Sequence, residues 1–262
     1  MSEKRRPPIA EKDPAPMSYF YELYEGLPRG GPGSDASTAR AFRMIPGLPP
    51  APVIYDLGSG PGMQTLALAR LALQARIVAV DNHRPFLDKL RAAAEAAGLS
   101  GRIETLDADM TRIDLPLEGA DLIWSEGALY FFGFENGLRT CRGWLRPGGC
   151  LAASEAVWLK GDPPAEVRAM WEAEYPAIKT VAENLPLFAA NGYELLGHFT
   201  LPKTDWLDEF YIPMEKRIAE LRAEHRDNEA ALTVLEASFR EIEIYKKYSD
   251  YYGYEFFVAQ AI

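Results

Sequence analysis

A short apolar segment followed by alternating glycines most constrains the fold of this 262-residue chain. Residues 53–57 are apolar apart from Asp56, and glycine then occupies positions 58, 60 and 62. An amphipathic segment follows the last glycine. Because glycine reaches left-handed backbone conformations without a Cβ clash, the pattern predicts a strand, a tight turn and a helix. The backbone of such a turn can lie very close to a ligand.

Apolar and amphipathic segments alternate along the following hundred residues, which predicts parallel βαβ units with right-handed crossovers. The predicted strands are 53–57, 75–80, 102–106, 120–125, 150–157, 192–200 and 254–261, and the predicted helices include 36–45, 63–73, 84–97, 134–145 and 215–247. Ser34 or Asp35 is placed to cap the helix at 36–45. The fold class is therefore α/β, a Rossmann-like doubly wound sheet with helices on both faces.

Acidic residues stand at or just beyond the ends of four successive predicted strands. They are Asp56, Asp81, Asp109 and Glu126. In open α/β sheets, ligands bind outside the carboxyl ends of the strands. We therefore expect these four side chains to converge on one ligand site.

The glycine spacing indicates the ligand. G-x-G-x-G after an acid differs from the G-x-G-x-x-G of dinucleotide-binding proteins, and it favours S-adenosylmethionine (SAM) over NAD. Gly58, Gly60 and Gly62 would let the methionine part of SAM lie over the turn, with its carboxylate at the helix N-terminus. Asp56 would orient the turn or attract the α-ammonium group. The alternative is a purely structural turn.

The next two acids suit the nucleoside. Asp81 can accept both ribose hydroxyls, with Asn82 as a helix cap or ribose neighbour; the alternative for Asp81 is a surface acid or cap. Asp109 can accept from the adenine amino group while the Met110 backbone meets the ring. Asp107 is close enough in sequence to take the place of Asp109.

Glu126 is the predicted catalytic residue, because its position at the end of the fourth strand faces the transferred methyl group. Its carboxylate could bind a substrate cation, act as a general base or stabilise the sulfonium. The alternative is an ion pair within a loop. Tyr130 and Glu155 would flank the same cavity.

The composition of the chain limits which classes of partner and cofactor are expected. A net charge of −10 and a pI near 5.0 disfavour nucleic acid. No apolar run is long enough to cross a bilayer, and no signal peptide is evident. Cys141 and Cys150 are expected to be reduced and buried, in a cytoplasmic protein. The three histidines are widely separated, so no metal is expected, and His83 is expected to be exposed.

Residues 56–62 and 80–81 resemble the first two motifs of the class I SAM-dependent methyltransferases. Residues 108–110 and 121–127 resemble later motifs, and residues 145–149 resemble the turn before the fifth strand. The resemblance covers about residues 50–160 and implies SAM as methyl donor and S-adenosylhomocysteine (SAH) as product. The predicted cofactor-binding residues are Asp56, Gly58, Ser59, Gly60, Gly62, Asp81, Asn82, Asp109, Met110 and Ser125.

A narrower likeness covers more of the chain. Residues 31–34, 121–128, 154–158 and 250–254 are similar to a largely uncharacterised group of bacterial small-molecule methyltransferases, distantly akin to the ubiquinone/menaquinone-biosynthesis type. This likeness implies a seven-stranded sheet whose last strand is antiparallel, and a small-molecule acceptor. The predicted acceptor-binding residues are Tyr24, Ser34, Tyr130, Glu155 and Trp158.

The chain is predicted to be one methyltransferase domain over residues 17–262, after a disordered tail at 1–16. Within it, residues 17–50 form an N-terminal cap and about 160–190 form a helical lid; a homodimer is the candidate assembly. Three alternatives to methyl transfer remain: non-methylating SAM chemistry such as a cyclase, a nicotinamide-dependent oxidoreductase, and a binding module that retains the pocket.

Overall fold

The alternating segments form one mixed β-sheet in the computed structural model, which describes residues 14–262. Within that range the strands are β1 (Val53–Leu57), β2 (Arg76–Asp81), β3 (Ile103–Asp107), β4 (Ala120–Glu126), β5 (Leu145–Trp158), β6 (Lys179–Thr180), β7 (Tyr193–Thr200) and β8 (Tyr252–Ala261). The order across the sheet is β3-β2-β1-β4-β5-β8-β7, and β6 pairs with the end of β5. β1 to β5 are parallel, whereas β8 is antiparallel to β5 and β7. The predicted seven-stranded sheet with an antiparallel last strand is confirmed, and two-residue β6 is an addition.

Helices lie on both faces of this sheet. In the described range they are α1 (Pro14–Glu25), α2 (Asp35–Phe42), α3 (Met63–Leu71), α4 (Arg84–Ala96), α5 (Phe134–Trp144), α6 (Ala165–Glu174), α7 (Val181–Ala190), α8 (Lys203–Trp206), α9 (Ile212–Glu224) and α10 (Glu229–Tyr248). A π-helical turn joins α8 to α9, and a 3₁₀ turn precedes α5. No helix among residues 14–262 is long and apolar enough to cross a membrane.

Two apolar cores lie against the sheet, one on each face. α5 and α7 bury Leu138 and Phe188 on one face. α3 and α4 bury Leu68 and Leu90 on the other. This division of the helices is what the doubly wound prediction requires, because each face of a parallel sheet must be covered.

A third apolar cluster lies beyond the carboxyl end of β5. It joins α1, α6 and α8 to α10 with the first residues of β8, and its fully buried members include Leu23, Trp206, Tyr245 and Tyr252. These helices therefore stand over the edge of the sheet where the strand-end acids emerge.

Some predicted boundaries differ from the structure. Residues 1–13 of the predicted tail lie outside the described residues, and α1 begins at Pro14, inside that tail. The predicted lid at 160–190 is divided: α6 joins the third cluster through Val167, whereas α7 packs Phe188 into the main core. β5 begins at Leu145 rather than at 150, because an irregularity in its pairing with β4 accommodates the proline–glycine turn.

Candidate active site

The glycine loop, residues 58–62, joins β1 to α3 in a backbone path that only glycine follows easily. Gly58, Gly60 and Gly62 have φ angles of +70°, +53° and +88°. A Cβ on Gly58 would lie 2.4 Å from the Ala128 Cβ, and one on Gly62 would lie 2.3 Å from the Leu90 Cδ1. Two of the three glycines are therefore required by packing against the protein itself, as well as by backbone conformation.

Main-chain hydrogen bonds fix the glycine loop to the end of β2. The N–H groups of Gly58 and Ser59 both donate to the Val80 carbonyl at 2.9 Å, and the Gly60 N–H donates to the Asp81 Oδ2 at 2.8 Å. Gly62 is the N-cap of α3 and provides no side-chain cap. The first turn of α3 thus keeps the N–H groups that bind anions at helix N-termini.

Asp56 is fully buried under the loop and links β1 to α3. Its Oδ2 accepts from the Thr65 hydroxyl at 2.5 Å, and its Oδ1 has no hydrogen-bond partner among residues 14–262. Burial raises the pKa of Asp56 to about 7, against the opposing effect of Thr65. The position supports the predicted role in orienting the loop.

The raised pKa of Asp56 makes stability depend on pH. The carboxyl holds its proton more tightly in the folded chain than in the unfolded chain, so the free energy of unfolding should fall as pH rises from about 4 to 7. Asp56→Asn should reduce this slope by up to about 1.4 kcal/mol per pH unit, measured by urea unfolding. The exposed acid Asp88 on α4 provides the control variant Asp88→Asn, and equal slopes in both variants would contradict the assignment.

Asp81 ends β2 beside the loop. Its Oδ2 accepts from the Gly60 N–H and its Oδ1 from the His83 N–H, both at 2.8 Å. Burial raises its pKa, and those two N–H groups oppose the rise. A carboxylate has about four acceptor positions, so room for two ribose hydroxyls remains. Asn82 is exposed and does not cap α4, whose N-cap is His83; that alternative for Asn82 is wrong because the helix starts one residue later.

His83 is expected to be exposed, but in the structure α1 covers its side chain. Its side chain is 15% exposed, its ring stacks on Tyr21 at 3.9 Å, and its Nε2 lies 2.7 Å from the Glu25 Oε1. Lys89 on α4 also donates to the Leu27 carbonyl at 2.6 Å. α1 therefore closes the β2 side of the site, through contacts about sixty residues apart that no local pattern indicates.

Asp109 lies two residues beyond β3 and is held by its own turn. Its Oδ1 accepts from the Thr111 hydroxyl at 2.7 Å and from the Thr111 N–H at 2.9 Å, and these bonds lower its pKa. Asp107 is exposed and stands opposite Asp81 in the strand register. Met110 is buried against the glycine loop. The adenine contact stays a prediction for Asp109.

The Glu126 carboxylate makes two hydrogen bonds and one ion pair with side chains of the described residues. Its Oε1 accepts from the Thr38 hydroxyl at 2.7 Å and from the Trp124 indole N–H at 2.9 Å. Its Oε2 lies 3.5 Å from the Nη1 of Arg29, whose side chain is 4% exposed. Burial raises the pKa of Glu126, and these partners oppose the rise. This arrangement matches the ion-pair alternative, and sequence reasoning missed Arg29 and Thr38.

The segment 29–38 closes over the loop and the end of β4. Ser34 caps α2, because its hydroxyl accepts from the Ser37 N–H at 3.1 Å. The Ser37 hydroxyl donates to the Asp205 Oδ2 at 2.5 Å, and the Gly33 N–H donates to the Asp205 carbonyl at 3.3 Å. Gly30 packs against the glycine loop. The Ser34 hydroxyl thus serves as the helix cap, and its contact with the methyl acceptor stays a prediction.

Ser125 and Trp158 occupy structural positions. The Ser125 hydroxyl is buried and donates to the Leu57 carbonyl at 3.0 Å, which joins β4 to β1 just before the glycine loop. Trp158 is half-buried at the end of β5 and packs against the third apolar cluster.

Four tyrosines and one carboxyl lie near one another around the carboxyl-terminal ends of β4 and β5. This tyrosine–glutamate cluster consists of Tyr24, Tyr130, Tyr175, Tyr254 and Glu155. Glu155 is 1% exposed, and neither oxygen has a hydrogen-bond partner in the described chain. Burial raises its pKa to about 8; the nearby Tyr175 hydroxyl opposes this but is not in hydrogen-bonding geometry. Tyr130 thus lies near both Tyr24 and Glu155, and the acceptor-binding role of these three residues stays a prediction.

Residues 54–149 match a family model described as a methyltransferase domain. A SAM-dependent methyltransferase from Geobacter sulfurreducens in complex with S-adenosyl-L-homocysteine superposes with a TM-score of 0.80. That superposition covers 94% of this chain and 98% of the other, at 20% sequence identity. The chain has the class I SAM-dependent methyltransferase fold.

Two curated relatives each match part of this chain. Carboxy-S-adenosyl-L-methionine synthase from Erwinia tasmaniensis is 35% identical over 107 residues, 39% of this chain and 43% of that protein. Trans-aconitate 2-methyltransferase from Streptomyces avermitilis is 37% identical over 116 residues, 44% of this chain and 43% of that protein. The matches span less than half the length of these relatives.

The methyltransferase fold also places three potential metal ligands together at its periphery. Glu22 on α1 and Glu224 and His225 at the end of α9 have ligand atoms within 4.8 Å of one another. His225 lies 3.0 Å from the Glu22 carboxylate. Their separation in the sequence explains why spacing did not reveal them.

Proposed function

We propose that this chain transfers the methyl group of SAM to a small-molecule acceptor. The observation that carries the proposal is the left-handed glycine loop bound by Asp81, at the carboxyl edge of a methyltransferase fold. Net charge −10 supports a small molecule rather than nucleic acid as the acceptor.

Unpartnered buried atoms beside the glycine loop fit SAM. The Asp56 Oδ1 and the Ser59 hydroxyl are buried without a hydrogen-bond partner among residues 14–262. Buried polar atoms are rarely left unpaired in native proteins. The α-ammonium and carboxylate of SAM are groups that could satisfy them, together with the first turn of α3, while Asp81 holds the ribose.

SAM supplies a methyl group that is already activated on a sulfonium. The work left to the protein is to bind and orient the acceptor and to exclude water, and orientation alone can lower a barrier by about 7–11 kcal/mol. We assign acceptor binding to Tyr24, Tyr130 and Glu155, with Trp158 and Ser34 at the margin. Glu126 is proposed to act at this site by holding Arg29 and segment 29–38 in place.

We also propose a cytoplasmic enzyme of bacterial type. The two cysteines are free and buried, which suits a reducing compartment, and both relatives named above are bacterial. The homodimer stays a prediction that size measurements in solution would test.

A second candidate is SAM chemistry without methyl transfer. The likeness to carboxy-S-adenosyl-L-methionine synthase favours it, since that protein's name specifies a modified SAM as product.

Methyl-labelled SAM separates the two candidates. The full chain is incubated with labelled SAM and a panel of small amines, acids and phenols, and the adenosyl products and the label are followed by chromatography. Methyl transfer predicts SAH together with label on an acceptor. Label that stays on a modified SAM, with no SAH, would support the second candidate and overturn the first.

A further inference from the structure

Glu155 is a buried carboxyl to which SAM binding gives no role. It lies on β5 directly opposite Glu255 on β8, on the face of the sheet that carries Phe257. Glu255 is satisfied, because it bonds the His198 Nδ1 at 2.5 Å and the Thr200 hydroxyl at 2.6 Å. Glu155 has no such partner in the described chain. A buried carboxyl without a partner costs free energy, and a ligand bound at this position would offset that cost.

The aromatic side chains of Tyr130 and Tyr175 lie near this carboxyl. The rings of Tyr130 and Tyr175 are 5.5 Å apart, and the Tyr254 ring packs against Gly127 just beyond β4. Aromatic faces attract cations within about 6 Å, most strongly where water is excluded.

The ionisable groups that influence these rings are carboxyls and other tyrosines. Besides burial, the pKa of Tyr130 is raised to about 12 by Glu155, Glu174 and Glu241. The pKa of Tyr254 is raised through burial, by Tyr130 and by two of the same carboxyls. A region with several carboxyls and electron-rich rings favours a positive ligand.

We propose that Glu155 and the surrounding tyrosines bind a compact organic cation, the ammonium group of the acceptor. That the cation belongs to the methyl acceptor rests on the proposed methyl transfer, whereas the cation site itself rests on the cluster alone. The carboxylate would neutralise the charge, and the tyrosine rings of the cluster would provide the aromatic contacts. The cluster adjoins the glycine loop through Gly127 and Ala128, so a cation held there lies beside the SAM site.

Choline and its uncharged isostere 3,3-dimethylbutan-1-ol test the site by calorimetry with the full chain at pH 8. Choline is expected to bind at least tenfold more tightly than the isostere. Glu155→Gln, which keeps the shape of the side chain, should weaken choline binding at least tenfold. The surface variant Glu135→Gln should change it less than twofold. Equal binding of the two probes, or no loss in Glu155→Gln, would overturn the proposal.

The pH dependence of choline binding provides an independent readout. Choline keeps its charge at every pH, and Glu155 must be ionised to bind it. Since burial raises the Glu155 pKa to about 8, affinity should rise about tenfold per pH unit below pH 8 and level off above it. Glu155→Gln should abolish the dependence.

Other titratable groups face Glu155 from every element packed near it. They are Tyr24 on α1, Tyr130 before α5, Tyr175 after α6, Tyr254 and Glu255 on β8, His198 on β7, and more distantly Glu174 and Glu241. Burial raises the pKa of the four tyrosines, which keeps them neutral below pH 8. A His198→Gln variant that keeps the wild-type profile assigns the titration to Glu155, and loss of the profile there would overturn the assignment.

Failure of this inference differs from failure of the proposed function. Choline titration needs neither SAM nor turnover. If the chain forms SAH from neutral acceptors but does not bind choline, only the cation site is contradicted. If it binds choline but does not form SAH, only the methyl-transfer proposal is contradicted.

Discussion

Replacing Asp81 with alanine is expected to weaken binding of both SAM and SAH at least tenfold. Two losses contribute. The ribose hydroxyls lose a charged acceptor, and hydrogen bonds to charged groups contribute about 1.5–3 kcal/mol each, or roughly tenfold or more in affinity. The Gly60 N–H also loses its acceptor, which loosens the glycine loop. Calorimetry with SAH measures the change without interference from turnover.

The control for Asp81 is Asp88→Ala, which removes an exposed acid from α4 and leaves the loop untouched. Its SAH affinity should remain within twofold of the wild type. Circular dichroism should show that both variants keep their folded content. If Asp81→Ala binds SAH as tightly as the control, the ribose assignment is wrong.

Replacing Glu126 with leucine is expected to lower the free energy of unfolding by about 3–5 kcal/mol, the usual cost of removing one partner of a buried ion pair. Among residues 14–262, Arg29 would keep Asp35 as its one charged partner, and Thr38 and Trp124 would lose the acceptor that Glu126 provides. Urea unfolding provides the measurement.

The chain contains a matched surface pair for comparison. Arg139 and Glu135 on α5 are also 3.5 Å apart but are largely exposed. Glu135→Leu should cost less than about 1 kcal/mol, because exposed pairs contribute little. The double variant Arg29→Met with Glu126→Leu should recover much of the stability lost by Glu126→Leu. A Glu126→Leu chain as stable as the Glu135 variant would free this carboxylate for the catalytic role predicted from the sequence.

The βαβ frame is predictable because its signals are local. The strand, the left-handed glycines and the following helix are adjacent in sequence, and each acid lies within two residues of the end of its own strand. The sequence before α2 offers Ser34 or Asp35 as the cap, and the structure shows that the Ser34 hydroxyl accepts from the Ser37 N–H. Patterns of this kind determine where a ligand can bind, but not which side chains close over it.

The parts of the structure that close over the ligand site depend on contacts between segments that are distant in the sequence. Thr38 and Glu126 are 88 residues apart, and His83 and Glu25 are 58 apart. No periodicity carries such pairings. The segment at about 160–190, which contains prolines 163, 164, 176 and 186, is predicted to form a helical lid, yet α7 accommodates Pro186 within a helix that packs Phe188 into the core. Tertiary packing decided the role of that segment.

The position of β8 sets an order of events during synthesis. β8 is paired along its length with β5, from Cys150↔Gln260 to Trp158↔Tyr252. At roughly 5–20 residues per second, the roughly ninety residues between Trp158 and Tyr252 take about 5–20 s to translate. Until then β5 presents an open strand edge of the kind that pairs with other chains. A nascent chain must wait that long before Tyr254 can reach Glu155, so slow translation or truncation before residue 252 should favour aggregation.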